Sequence, residues 1–123
     1  MLGFEEEINA LIIGGTGGLG KEFVRQLLSL KRCKKVVATT TNTNQVLLNH
    51  NHLTWLQMDT TNETTIENTA NVLKELEFAP NLVINCTGIL HNDSGIQPEK
   101  TWRHLNIEQM TKVFAINTFG VAL

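Results

Sequence analysis

Five glycines fall within seven positions, Gly14-Gly15-Thr16-Gly17-Gly18-Leu19-Gly20, directly after the apolar run Ile8 to Ile13. So dense a cluster does not suit the interior of a helix or strand, because glycine gives up more backbone freedom on folding than any other residue. It reads as a tight turn closing a buried strand. Leu19, Phe23, Leu27 and Leu30 recur at helical spacing, so a helix follows with that stripe as its buried face. Lys31, Arg32, Lys34 and Lys35 collect at its far end, where the helix dipole favours cations. Strand, glycine turn and helix bring open backbone N–H groups to the end of a strand, and such a junction suits an anion.

The rest of the chain repeats the alternation. Val36-Val37-Ala38 predicts a second strand, followed by the polar run Thr39 to Asn44, and Leu53 to Met58 predicts a third. Thr60 and Glu63 have capping-box spacing, and Ile66, Ala70, Leu73 and Leu76 supply the stripe of a second helix, which Pro80 ends. Leu82-Val83-Ile84 has no polar alternation, as expected of a fourth strand covered on both faces. A last helix begins near Asn106, with Gln109 three residues on, and its pattern continues from Val113 to Leu123. Strands alternating with helices predict a parallel sheet under helices.

At 123 residues the chain is one domain, and an apolar share of 41% is enough for a core, which excludes disorder over most of its length. Its net charge of −2 provides no basic field for nucleic acid or an anionic membrane. Met1 to Glu7 is acidic and no apolar run approaches the ~20 residues of a transmembrane helix. Cys33 and Cys86 lack metal-like spacing, so the expectation is a reduced, cytoplasmic protein.

The glycine cluster satisfies several phosphate patterns at once. Gly15, Gly17 and Gly20 fit G-x-G-x-x-G, while Gly14, Gly18 and Gly20 fit the wider G-x-x-x-G-x-G. Gly15, Gly20 and Lys21 fit most of a P-loop, but Glu22 replaces the hydroxyl that would hold magnesium, and Asn85 stands where a later strand would end in an acid. A dinucleotide site is therefore favoured over a P-loop or a purely structural turn. An acid ~20 residues beyond the loop usually holds the adenosine ribose, whereas here the second strand ends in Thr39-Thr40-Thr41. With no carboxylate to repel a 2′-phosphate, the preference leans to NADP, with NAD the alternative.

Three further segments add to this reading. Met58-Asp59-Thr60 follows the third strand, Asn85-Cys86-Thr87-Gly88 follows the fourth, and Asn117-Thr118-Phe119-Gly120 lies in the last helix. With the glycine loop taken as G-x-x-x-G-x-G, the four motifs resemble the compact, single-domain branch of the short-chain dehydrogenase/reductase family. Asn85 to Gly88 is similar to that family's N-N-A-G, with cysteine and threonine in the middle positions. Gly88-Ile89-Leu90-His91 and Pro98-Glu99-Lys100 resemble its C-factor-like subgroup.

The resemblance implies a Rossmann-type, doubly wound parallel α/β sheet of strand order 3-2-1-4, truncated, with residues 1–123 forming a single N-terminal dinucleotide-binding portion. It implies that Gly14, Gly18 and Gly20 receive the pyrophosphate, with Thr16 and Leu19 lining the loop and Thr39 at the ribose end. Asp59, with Thr60 beside it, would accept from the adenine amino group. Asn85, Thr87 and Gly88 would run along the ribose toward the nicotinamide. Asn117 would be the family's active-site asparagine, serving a proton-relay water. From the residues alone, Met110, Val113, Phe114 and Val121 share its helical face, which predicts a buried amide that needs partners or water; a core asparagine bonded to nearby backbone is the other reading.

The family's tyrosine, the lysine four residues later and its serine lie beyond Asn117, and this chain contains no tyrosine at all. The resemblance thus supplies a cofactor site for hydride transfer between NAD(P)H and a carbonyl or alcohol, without the acid that protonates the alkoxide. The catalytic half is expected to be absent, so a small carbonyl substrate would belong to a longer form. The alternative is a noncatalytic nucleotide-binding or dimerisation module. An exposed fourth strand or last helix predicts a homo-oligomer. His50 and His52 lack further metal ligands, Trp55 is expected in the core, and Trp102 and His91 fall in the loop that borders the family's nicotinamide pocket.

Overall fold

The computed structural model describes residues 6–46, 48–89 and 95–123. Its elements are β1 (Ile8–Ile13), α1 (Gly18–Ser29), β2 (Cys33–Thr40), β3 (Leu53–Gln57), α2 (Glu63–Glu75), β4 (Leu82–Asn85), α3 (Ile107–Phe114), a π turn (Ala115–Phe119) and the short α4 (Gly120–Ala122). The strands make one parallel sheet in the order β3-β2-β1-β4, as expected of a Rossmann-type fold. All four therefore end at the same edge, and the chain order reverses direction between β1 and β4.

Register explains the core. Ala10 lies between Val36 and Leu82, and Ile12 between Ala38 and Ile84. These side chains share one face of the sheet, where Val24 and Leu27 of α1 pack over them. Leu11, Ile13 and Thr39 point to the other face, toward Ile66, Ala70 and Leu73 of α2. β2 runs to Thr40, two residues past the expected strand, with Thr39 and Thr40 buried.

Several local expectations are corrected. The buried row of α1 is Gly20, Val24 and Leu27, leaving Leu19, Phe23 and Leu30 exposed. The cause is Gly20: its contact with the glycine loop fixes the rotation of the helix, and the residues four and seven positions on then face the sheet. α1 ends at Ser29, so the basic run lies beyond it in a turn and the first residues of β2. There Lys34 pairs with Glu7 at 3.2 Å, and Lys35 lies 5.7 Å from the centre of the Phe78 ring.

Thr60 does not cap α2. Asn62 does, its Oδ1 accepting the Thr64 N–H at 3.1 Å. Nor does Pro80 end the helix. Phe78 N–H donates to the Leu73 carbonyl at 2.9 Å and Glu77 N–H to that of Lys74 at 3.0 Å, closing the end five residues before Pro80. Glu77 holds the left-handed position of this cap at φ +51°. α3 begins where expected, with Asn106 Oδ1 accepting from Glu108 and Gln109 N–H at 2.9 and 3.3 Å. β4 is covered on one face only, and Val83 on the other is 54% exposed.

Candidate functional site

The loop between β1 and α1 is a continuous surface of backbone. Gly14 adopts φ +81°, a conformation side chains disfavour, and it faces Cys86 and Thr87 at the end of β4; a β-carbon there would lie 3.3 Å from both. Thr39 fixes the loop from below: its Oγ1 accepts the Gly14 N–H at 3.2 Å and its carbonyl the Gly15 N–H at 2.8 Å. Thr16 is fixed sideways, its hydroxyl 3.0 Å from that of Thr40. A β-carbon at Gly20 would land on the Gly14 carbonyl, so the first turn of α1 rests directly on the loop.

Gly18 differs from its neighbours. A β-carbon at this position would meet no protein atom within 4 Å, although the residue opens the helix. Gly17, the N-cap, offers no side chain to the first turn. A helix N-terminus without a cap leaves N–H donors directed outward, and the open space at Gly18 lets a group approach the backbone closely. These residues fit a pyrophosphate.

Asp59 and Thr60 lie at the carboxyl end of β3, and Asn85 to Gly88 at that of β4. Asp59 is half-buried, and its Oδ1 accepts the Thr61 N–H and hydroxyl at 2.8 and 2.6 Å. Asn85 Oδ1 accepts the Thr87 N–H and hydroxyl at 2.9 and 2.6 Å in the same pattern. Each strand thus ends in a turn folded onto its own side chain, which holds the carboxyl-end loops in place. Thr60 faces inward instead: it is buried, and Gly120 packs against it so closely that a β-carbon at Gly120 would lie 2.7 Å from the Thr60 hydroxyl.

Asn117 lies within the π turn, and its amide is paired on both sides with one residue. Oδ1 accepts the Ile89 N–H at 2.7 Å and Nδ2 donates to the Ile89 carbonyl at 2.8 Å. This is the backbone-bonded arrangement, but not in a buried setting: Asn117 is exposed, and Phe114 and Val121 are each 52% exposed. The wider π turn also breaks the i+4 relation that would have aligned Val121 with Asn117. Gly88 lies beside this clasp, a β-carbon there falling 3.6 Å from Asn117 Oδ1.

Glu22 is turned along the helix, where hydrogen bonds from Arg25 and Gln26 bring its carboxyl down to about 2. An anion fixed at this position opposes a P-loop. Burial pushes the Cys86 thiol up, in keeping with a small strand residue. Trp102 is 75% exposed, while His91 lies outside the described residues. Among the described residues there is no group of three or more metal-ligating side chains, and no helix long and apolar enough to cross a membrane. Sequence reasoning missed Thr40 and Ile89. The Thr39-Thr40-Thr41 run offered a signal for Thr40; Ile89 contributes only backbone and offered none.

A family model for short chain dehydrogenases matches residues 8–123. The chain belongs to the short-chain dehydrogenase family. No curated protein matches it by sequence. Among solved structures, the chain is similar to a short chain dehydrogenase from Leptospira borgpetersenii with bound NAD+, at 26% identity and TM-score 0.78, over 95% of this chain and 42% of that one. A short chain dehydrogenase from Burkholderia cenocepacia in complex with NADP matches at 22% identity and TM-score 0.75, over 95% and 45%. Serine dehydrogenase from Escherichia coli matches in fold at 19% identity and TM-score 0.75, over 92% and 50%. The chain thus spans half or less of the length of each.

Proposed function

We propose that residues 1–123 are the dinucleotide-binding portion of an NAD(P)-dependent oxidoreductase, and that Gly14, Gly18 and Gly20 form its pyrophosphate cradle. The observation that carries this reading is the open space at Gly18, at the uncapped start of α1, in a loop otherwise packed tight. Thr16 and Leu19 border the cradle, Asp59 lies on the adenine side, and Asn85, Thr87 and Gly88 lead toward the nicotinamide. Thr39 and Thr60 act from beneath, Thr39 on the loop backbone and Thr60 on Gly120. When bound, the nicotinamide supplies hydride to a carbonyl or takes it from an alcohol.

Asn117 acts here as a positioning residue: by holding both backbone groups of Ile89, it fixes the loop segment next to Gly88. The chain contains no tyrosine, the residue the family resemblance assigns as proton donor, so we propose that it binds the dinucleotide without turning it over alone. The absence of an acid at Thr39 to Thr41 supports NADP over NAD. The free cysteines Cys33 and Cys86 support a reducing, cytoplasmic setting.

The test is fluorescence titration with NADPH and NADH. Saturable binding with NADPH the tighter ligand is expected, and equal affinities would remove the preference for NADP. Gly18→Val is expected to keep the fold, since its side chain enters open space, and to lose at least tenfold in affinity, about 1.4 kcal/mol or more. A folded Gly18→Val that binds as well as the parent would refute the cradle.

A further inference from the structure

The connection from β2 to β3 leaves a space that the other described residues do not fill. Parallel strands of one sheet are usually joined across a helix, and α1 and α2 serve the β1–β2 and β3–β4 connections in this way. Between β2 and β3 the chain has twelve residues, 41–52, which form a three-residue helical turn at Thr43–Gln45. On the α1 side of the sheet, a cavity of about 260 Å3 opens above Trp55.

Its lining has a definite chemistry. Trp55, Leu48 and Val24 make it apolar, and the Trp55 indole N–H is already donated to the Leu48 carbonyl at 3.0 Å, so the ring presents hydrocarbon. Lys21 and Arg25 border it. Arg25 is held by Glu22 through hydrogen bonds of 2.9 and 2.5 Å. Lys21 has no ion pair among the described residues. An apolar hollow beside one uncompensated ammonium group matches a ligand with a hydrocarbon body and a single negative end. The volume lies below the ~300 Å3 at which pockets for drug-sized ligands begin, so that body is short.

We propose that this cavity is a second small-molecule site, separate from the glycine cradle, that binds a short amphiphilic carboxylate with its tail on Trp55 and its carboxylate on Lys21. It stands independently of the dinucleotide reading, because its selectivity comes from Lys21, Val24, Leu48 and Trp55. The two sites share a wall at Gly15 and Thr16, where a β-carbon on Gly15 would lie 2.9 Å from the Trp55 ring.

Trp102→Phe leaves Trp55 as the one tryptophan of the chain and makes its emission a direct probe. Titration of that variant with octanoate is expected to give a saturable change, with octanamide about fivefold weaker, the scale of one exposed ion pair. Lys21→Gln is expected to reduce octanoate to the octanamide level and leave octanamide unchanged. Val24→Phe fills the hollow and should abolish both responses; should it fail to fold, the exposed Lys21→Gln decides alone. Equal binding of octanoate and octanamide, no saturable response, or an unaffected Lys21→Gln would overturn the proposal. So would competitive displacement of octanoate by NADP, which would make the cavity part of the dinucleotide groove.

Discussion

Gly18 and Gly20 are two residues apart and have opposite surroundings. Gly20 is closed off by the Gly14 carbonyl, so Gly20→Ala forces helix and loop apart and is expected to cost about 3 kcal/mol, read as a lower urea midpoint. Gly18 meets nothing within 4 Å, so the fold is expected to tolerate its substitutions and, on the proposed cradle, ligand affinity is expected to register them. Glu77 is the converse case, a side chain where the backbone favours glycine. With φ +51° at the end of α2, Glu77→Gly is expected to raise stability by about 1 kcal/mol, measured by the same denaturation curve. The glycine turn was legible because no other composition reads that way. The separate duties of its members were not, since they depend on what lies opposite each α-carbon: Cys86 and Thr87 for Gly14, Gly14 itself for Gly20, and open space for Gly18.

Strand identity was readable from apolar runs and turn residues, and each of the four strands overlaps its predicted run; the strand order came only from the family resemblance. Helix rotation and helix ends were harder to read. Leu19, Phe23 and Leu30 satisfy a helical period as well as Val24 does, and the row that faces inward is chosen by the packing of Gly20. Asn62 and Thr60 are both competent caps, and the choice followed from how Asp59 folds the preceding turn. The π turn had no sequence signature, and it places Asn117 over Ile89. Asn117→Ala removes both hydrogen bonds and is expected to cost about 1 to 2 kcal/mol, with faster amide exchange at Ile89. Unchanged exchange at Ile89 would show that the clasp does not hold that loop.

At the scale of the whole sheet, one flank is left uncovered by the described residues. β4 is an edge strand with Val83 exposed, and Phe114, Phe119, Val121 and Leu123 are exposed beyond it. An apolar edge of this kind recruits another strand. The expected outcome is concentration-dependent self-association in sedimentation velocity, weakened by Val83→Lys. A monodisperse monomer whose β4 amides exchange rapidly would contradict this.

The helical segment that runs from Asn106 to the end of the chain touches the sheet's carboxyl edge at two tie points, Asn117 on Ile89 beyond β4 and Gly120 on Thr60 beyond β3. The two contacts lie within a single turn of that segment, three residues apart, although the strands they serve stand at opposite edges of the sheet. A displacement of this one turn is therefore felt by the loops after β3 and β4 together.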